Sequence, residues 1–62
     1  MALRPMNEFD PSKPALVHDQ LNDKTFEWKP EQYFKSFLKD AHPHDVGVIE
    51  WDGLLLDGWE AA

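Results

Sequence analysis

Asp52-Gly53 stands between two apolar runs, Val46-Gly47-Val48-Ile49-Glu50-Trp51 and Leu54-Leu55-Leu56, and constrains the fold more than any other pair in the chain. A two-residue loop between paired strands needs positive φ at both loop positions to match the right-handed twist of the strands. Asp-Gly supplies this at little steric cost. The sequence therefore predicts a hairpin with strands over 46–51 and 54–59. With that loop, Trp51 pairs with Leu54, Ile49 with Leu56 and Gly47 with Gly58. Ile49, Trp51, Leu54 and Leu56 then share one face, and Val46, Val48, Glu50, Leu55, Asp57 and Trp59 share the other.

Upstream, Lys24-Thr25-Phe26-Glu27-Trp28 alternates polar and apolar residues, the pattern of a short strand with Phe26 and Trp28 on one face. Pro30 follows where its missing N–H costs nothing, at the first turn of a helix, and Glu31 meets the positive end of the helix dipole. Tyr33, Phe34, Phe37, Leu38 and Ala41 form an apolar stripe, with Gln32, Lys35, Ser36 and Lys39 opposite. Pro43 disfavours helical geometry at His42, so the helix should stop near Ala41. These elements predict an α+β fold, a β-α-β-β domain over 24–62 whose three-stranded sheet carries one helix on one face. Three successive leucines make the last strand apolar on both sides and hence central. That favours strand order 1-3-2 over the right-handed crossover order 1-2-3.

Residues 1–23 contain Pro5, Pro11 and Pro14, and their apolar side chains, Leu3, Met6, Phe9, Leu16, Val17 and Leu21, follow no period. This reads as an irregular N-terminal arm that folds back over the domain or orders on a partner. A chain of 62 residues buries only about 60% of its unfolded surface. Domains this small usually add disulfides, a metal or a partner. There is no cysteine, which removes disulfides and thiolate zinc sites and fits a reducing compartment. No basic segment followed by an apolar stretch opens the chain, and no apolar run approaches membrane-spanning length. The expected location is cytoplasmic, with no membrane contact.

Charge is uneven along the chain. All six cations, Arg4, Lys13, Lys24, Lys29, Lys35 and Lys39, precede position 40, whereas Asp45, Glu50, Asp52, Asp57 and Glu60 follow Ala41 without a Lys or Arg among them. Direct binding to nucleic acid is disfavoured by this pattern, and a basic protein surface is the favoured partner.

Catalysis finds no support in the residues. Ser12, Ser36 and Thr25 have no base at a motif spacing, and Gly47, Gly53 and Gly58 make no phosphate loop. The chain is read as neither an enzyme nor a cofactor protein. His42-Pro43-His44-Asp45, with His18, is the nearest approach to a metal site, but the segment is better explained as the stop of the helix, and no metal ligand is assigned.

The function expected from the sequence is a small acidic protein-binding module, an accessory subunit, adaptor or inhibitor of a larger protein with a basic or apolar groove. Trp28 and Trp51 are assigned to the core. The expected binding surface is the outer hairpin face, Val48, Glu50, Leu55, Asp57 and Trp59, with Phe9, Leu16 and Val17 of the arm as a second contact. Three alternatives remain: a nucleic-acid mimic that inhibits a basic protein, a metal-binding regulatory protein using its histidines, and a precursor with a recognised leader arm. Exposed strand edges also leave self-association open.

Overall fold

The computed structural model describes residues 3–62. A 3-10 turn over Met6–Glu8 precedes strands β1 (Ala15–Asp19) and β2 (Lys24–Trp28), helix α1 (Pro30–Asp40), and strands β3 (His42–Asp45), β4 (Val48–Trp51) and β5 (Leu54–Ala61). All pairings are antiparallel, in the order β2-β1-β5-β4-β3. The hairpin and the helix lie where the sequence places them. Asp52 and Gly53 have φ of 53° and 77°, and Trp51 pairs with Leu54. The helix opens on Pro30 and closes with the Ala41 N–H donating to the Phe37 carbonyl.

The sheet has five strands, not three, and this corrects the expected architecture. Strand β1 lies within the expected arm, and it is an interior strand, inserted between β2 and the central β5. The expected direct pairing of the strand over 24–28 with the strand after the Asp-Gly turn is thereby replaced. Ala15, Val17 and Asp19 of β1 are buried in alternation with half-buried Leu16 and His18. The period of two was present, but a buried Asp in the apolar phase masked it. Strand β3 is formed by His42-Pro43-His44-Asp45, expected only as a connector. Proline is tolerated there because β3 is an edge strand, and the pairing is interrupted by a register shift between Pro43 and Asp45 that leaves His44 unpaired. Gly47 lies in the turn before β4 and pairs with nothing on β5; Gly58 pairs with His18 instead.

One face of the sheet carries the core. Met6, Ala15, Val17, Trp28, Phe37, Trp51, Leu56 and Trp59 are buried together, with Phe9, Phe26, Tyr33 and Ile49 packed against them. Trp28 is the centre of this cluster: Phe9, Tyr33, Phe37 and Trp51 have ring centroids 5.1–5.2 Å from it, the Phe9 and Phe37 rings meeting it edge-on. Such edge-on pairs add stabilisation beyond the area they bury.

Two indoles tether the arm. Trp28 Nε1–H donates to the Pro11 carbonyl at 2.8 Å, and Trp59 Nε1–H to the Pro5 carbonyl at 3.1 Å. Arg4 pairs with Trp59 through both backbone hydrogen bonds. The arm is therefore structural through its described length; Met1 and Ala2 lie outside the described residues.

The helix stripe is narrower than expected. Phe37 is buried and Tyr33 half-buried, but Leu38 is 66% exposed. Phe9, reaching in from the arm to lie 5.6 Å from Phe37, completes the apolar layer beside the helix. Among the described residues no helix is long and apolar enough to cross a membrane.

Candidate functional site

The helix covers one face of the sheet, and strand alternation sends a defined set of side chains to the other. Register fixes that set. Leu16 stands between Glu27 of β2 and Glu60 of β5, His18 between Thr25 and Gly58, and Glu50 between His42 and Leu55. Val48 and Asp57 complete the central part. Leu16, Val48 and Leu55 are half-buried by their neighbours, and the carboxylates of Glu27, Glu50, Asp57 and Glu60 are interleaved with them. Among the described residues no strand position on this face is Lys or Arg. Lys29, Lys35 and Lys39 lie at or on the helix, and Lys24 shares the phase of Phe26 and Trp28.

Of the residues expected on the binding surface, Val48, Glu50, Leu55, Asp57 and Leu16 reach this face. Trp59, Val17 and Phe9 do not. Trp59 is 9% exposed and Val17 fully buried, while Phe9 stacks edge-on with Trp28, Phe37 and Trp59. Trp59 departs from simple alternation because the ladder between β1 and β5 shifts register: His18 faces Gly58, but Asp19 faces Leu56, so Asp57 is an extra residue. A bulge of this kind turns two consecutive side chains to one side and reverses the phase beyond them. Asp57 and Gly58 both lie on the open side, and Trp59 returns to the core. Gly58 allows the close approach of the arm there, since a Cβ at this position would meet the Leu3 side chain at 2.9 Å.

Two histidines hold carboxylates on the open face. His18 Nδ1 lies 2.6 Å from Asp57 Oδ1, and its Nε2 lies 3.3 Å from Asp23 Oδ1. A neutral imidazole can donate to only one of them; the imidazolium donates to both. The hydrogen bond to Asp57 accordingly raises the His18 pKa above its ordinary 6.5, with Asp23 adding to the effect against partial burial. His44 Nε2 meets Glu50 Oε1 at 2.5 Å toward the β3 edge of the same face. The sequence signalled His18 and His44 only as metal ligands. Among the described residues no group of three or more His, Cys, Asp or Glu side chains is placed to hold a metal ion.

Asp19 is the residue that sequence reasoning missed. It is 3% exposed, and its carboxylate accepts the Leu21 N–H at 3.0 Å, the Leu55 N–H at 3.2 Å and the Asn22 side-chain amide at 2.8 Å. Burial alone would raise its pKa, but these hydrogen bonds outweigh burial and hold it below the ordinary 3.8. Asp19 thereby fixes the turn between β1 and β2 against β5. Beside that turn the open face deepens into a groove of about 610 Å³, bounded by Gln20 and Leu21 on one side and by His44 and Asp45 on the other, with Val48, Glu50 and Leu55 between them. Comparisons with family models, with curated proteins and with solved structures find no match to this chain.

Proposed function

We propose that the protein is a small acidic binding module whose open sheet face docks a basic surface of a larger protein. The observation that carries this reading is the make-up of the open face: the carboxylates of Glu27, Glu50, Asp57 and Glu60 are interleaved with Leu16, Val48 and Leu55, whereas the helix on the other side mixes Lys35 and Lys39 with Glu31 and Asp40. Interfaces that combine apolar contact with complementary charge gain orientation and association rate from the charge and affinity from the desolvated apolar centre. Half-buried leucines framed by carboxylates fit that division. Sheet strands on a packed core also present the side chains with little conformational freedom left to lose on binding.

The test starts with a partner captured from extract of the cells that make the protein and identified by mass spectrometry. Its binding is then measured for Glu50→Lys/Glu60→Lys and for Lys35→Glu/Lys39→Glu. The sheet-face pair should slow association about tenfold or more at low salt and flatten the salt dependence; the helix pair should leave both unchanged. The reverse pattern would move the interface to Phe34 and Leu38 on the helix and end this reading.

A further inference from the structure

The groove at one end of the open face has a composition that selects one kind of side chain. Leu21 and Leu55 supply an aliphatic wall that Val48 of β4 continues, and the carboxylates of Asp45 and Glu50 stand at the β3 side. Among the described residues no Lys or Arg lines it, and the imidazole of its His44 is held against Glu50. With a volume of about 610 Å³ it is a groove open to solvent along its mouth, so a single side chain laid into it would bury one flank and leave the other wet.

Each carboxylate is already oriented from one side. Asp45 Oδ1 accepts the Val46 N–H at 2.8 Å, and Glu50 Oε1 is engaged by His44. Among the described residues neither Asp45 Oδ2 nor Glu50 Oε2 has a hydrogen-bond partner. Two single acceptors on separate strands suit a planar fork of N–H donors better than a compact ammonium, because a guanidinium can address both at once and sheds its hydration more readily. Its three-carbon stem matches the aliphatic walls.

We propose that this groove is the anchor for an arginine side chain, the stem against Leu21, Val48 and Leu55 and the guanidinium between Asp45 and Glu50. The assignment rests on the reading of the open face as a docking surface for a basic protein and names the contact that would centre it. A guanidinium could also come from a free small molecule such as agmatine, so the source is part of the test.

The probe is N-acetyl-arginine amide, titrated into the labelled protein at low salt and followed by amide NMR, beside N-acetyl-lysine amide, the uncharged isostere N-acetyl-citrulline amide, and agmatine. Arginine should give saturable shifts confined to residues 20–21, 44–50 and 53–55, about tenfold tighter than citrulline, as expected when two charge-assisted hydrogen bonds are replaced by neutral ones. Lysine should fall between them. Agmatine carries a second positive charge, so its titration is repeated at high salt; tighter binding than the arginine amide there too would indicate a free amine ligand and overturn assignment to a protein side chain. Glu50→Gln should lose most of the affinity and Asp45→Asn a part, each keeping an oxygen for its intramolecular bond; a dispersed spectrum verifies the fold. Equal binding of citrulline and arginine, or an unchanged affinity in both variants, would overturn the proposal. These outcomes separate from the fate of the docking face, because a partner that still responds to Glu50→Lys/Glu60→Lys while the arginine probe fails removes the anchor and leaves the face.

Discussion

The Leu55 N–H donates to the carboxylate of Asp19 at 3.2 Å, so that a buried side chain joins β1 to β5 just beyond the point where their ladder shifts register. Gln20 N–H returns a hydrogen bond to the Leu55 carbonyl at 2.8 Å. The break in the ladder is thus closed by one residue whose charge is neutralised by donors rather than by a cation. Asp19→Ala would strand the Leu21 and Leu55 N–H groups and the Asn22 amide, and should cost about 2–3 kcal/mol, the range for removing hydrogen bonds to a buried charged group. Urea denaturation reads this directly, and a midpoint equal to wild type would show that water replaces the carboxylate.

Gly53 is at φ 77° with no atom within 4 Å of a Cβ built on it. Gly53→Ala therefore introduces conformational strain without a clash and should cost about 1 kcal/mol. The fold should persist, with reduced stability and unchanged amide shifts away from the turn.

Trp59→Ala would empty a core site and remove the donor to the Pro5 carbonyl. A loss of about 3–5 kcal/mol is expected for truncating a buried aromatic, enough to unfold most of a domain this small. The sequence assigns Trp59 to a surface where its removal spares the fold; the core position reverses that expectation. Amide NMR of the variant distinguishes the two, since a dispersed spectrum would return Trp59 to the surface.

Phe37 and Leu38 are neighbours on the helix with opposite roles. Phe37→Ala should cost about 3–5 kcal/mol, whereas Leu38→Ala, at an exposed position, should change stability by no more than about 0.5 kcal/mol. Thermal melts of the two variants measure the contrast, and equal effects would mean that the helix is rotated about its axis.

His18 makes stability depend on pH with a definite sign. Its folded pKa is raised above 6.5, chiefly by Asp57, so the folded state holds the proton more tightly than the unfolded chain. The stabilisation is complete below about pH 6.5 and is lost as pH rises through the folded value. Urea midpoints should therefore fall in the wild type as pH rises above about 6.5 and through the raised folded value, and His18→Gln should remove the His18 share of that fall. Parallel curves for the two proteins would show that Asp57 and Asp23 do not hold the imidazolium.

What the sequence determined by itself are the elements whose causes are local. The Asp52-Gly53 turn follows from two positive φ values, the start of the helix from Pro30, its end from Pro43, and the strand over Lys24–Trp28 from alternation within five residues. The candidate site was half legible for the same reason: Val48, Glu50 and Leu55 follow from the turn and the period of two. Only the tertiary structure decided the rest. Strand β1 depends on donors from Leu21, Asn22 and Leu55 to make a buried Asp19 tolerable, and β3 on an edge position that accepts Pro43. Trp59 turns inward because a bulge at Asp57 changes the phase of β5, and the arm is ordered by indoles that find the Pro5 and Pro11 carbonyls. In each case the deciding contact joins residues far apart in the chain. Local propensity and spacing carry no record of such partners, because their stabilisation exists only once the sheet has brought them together.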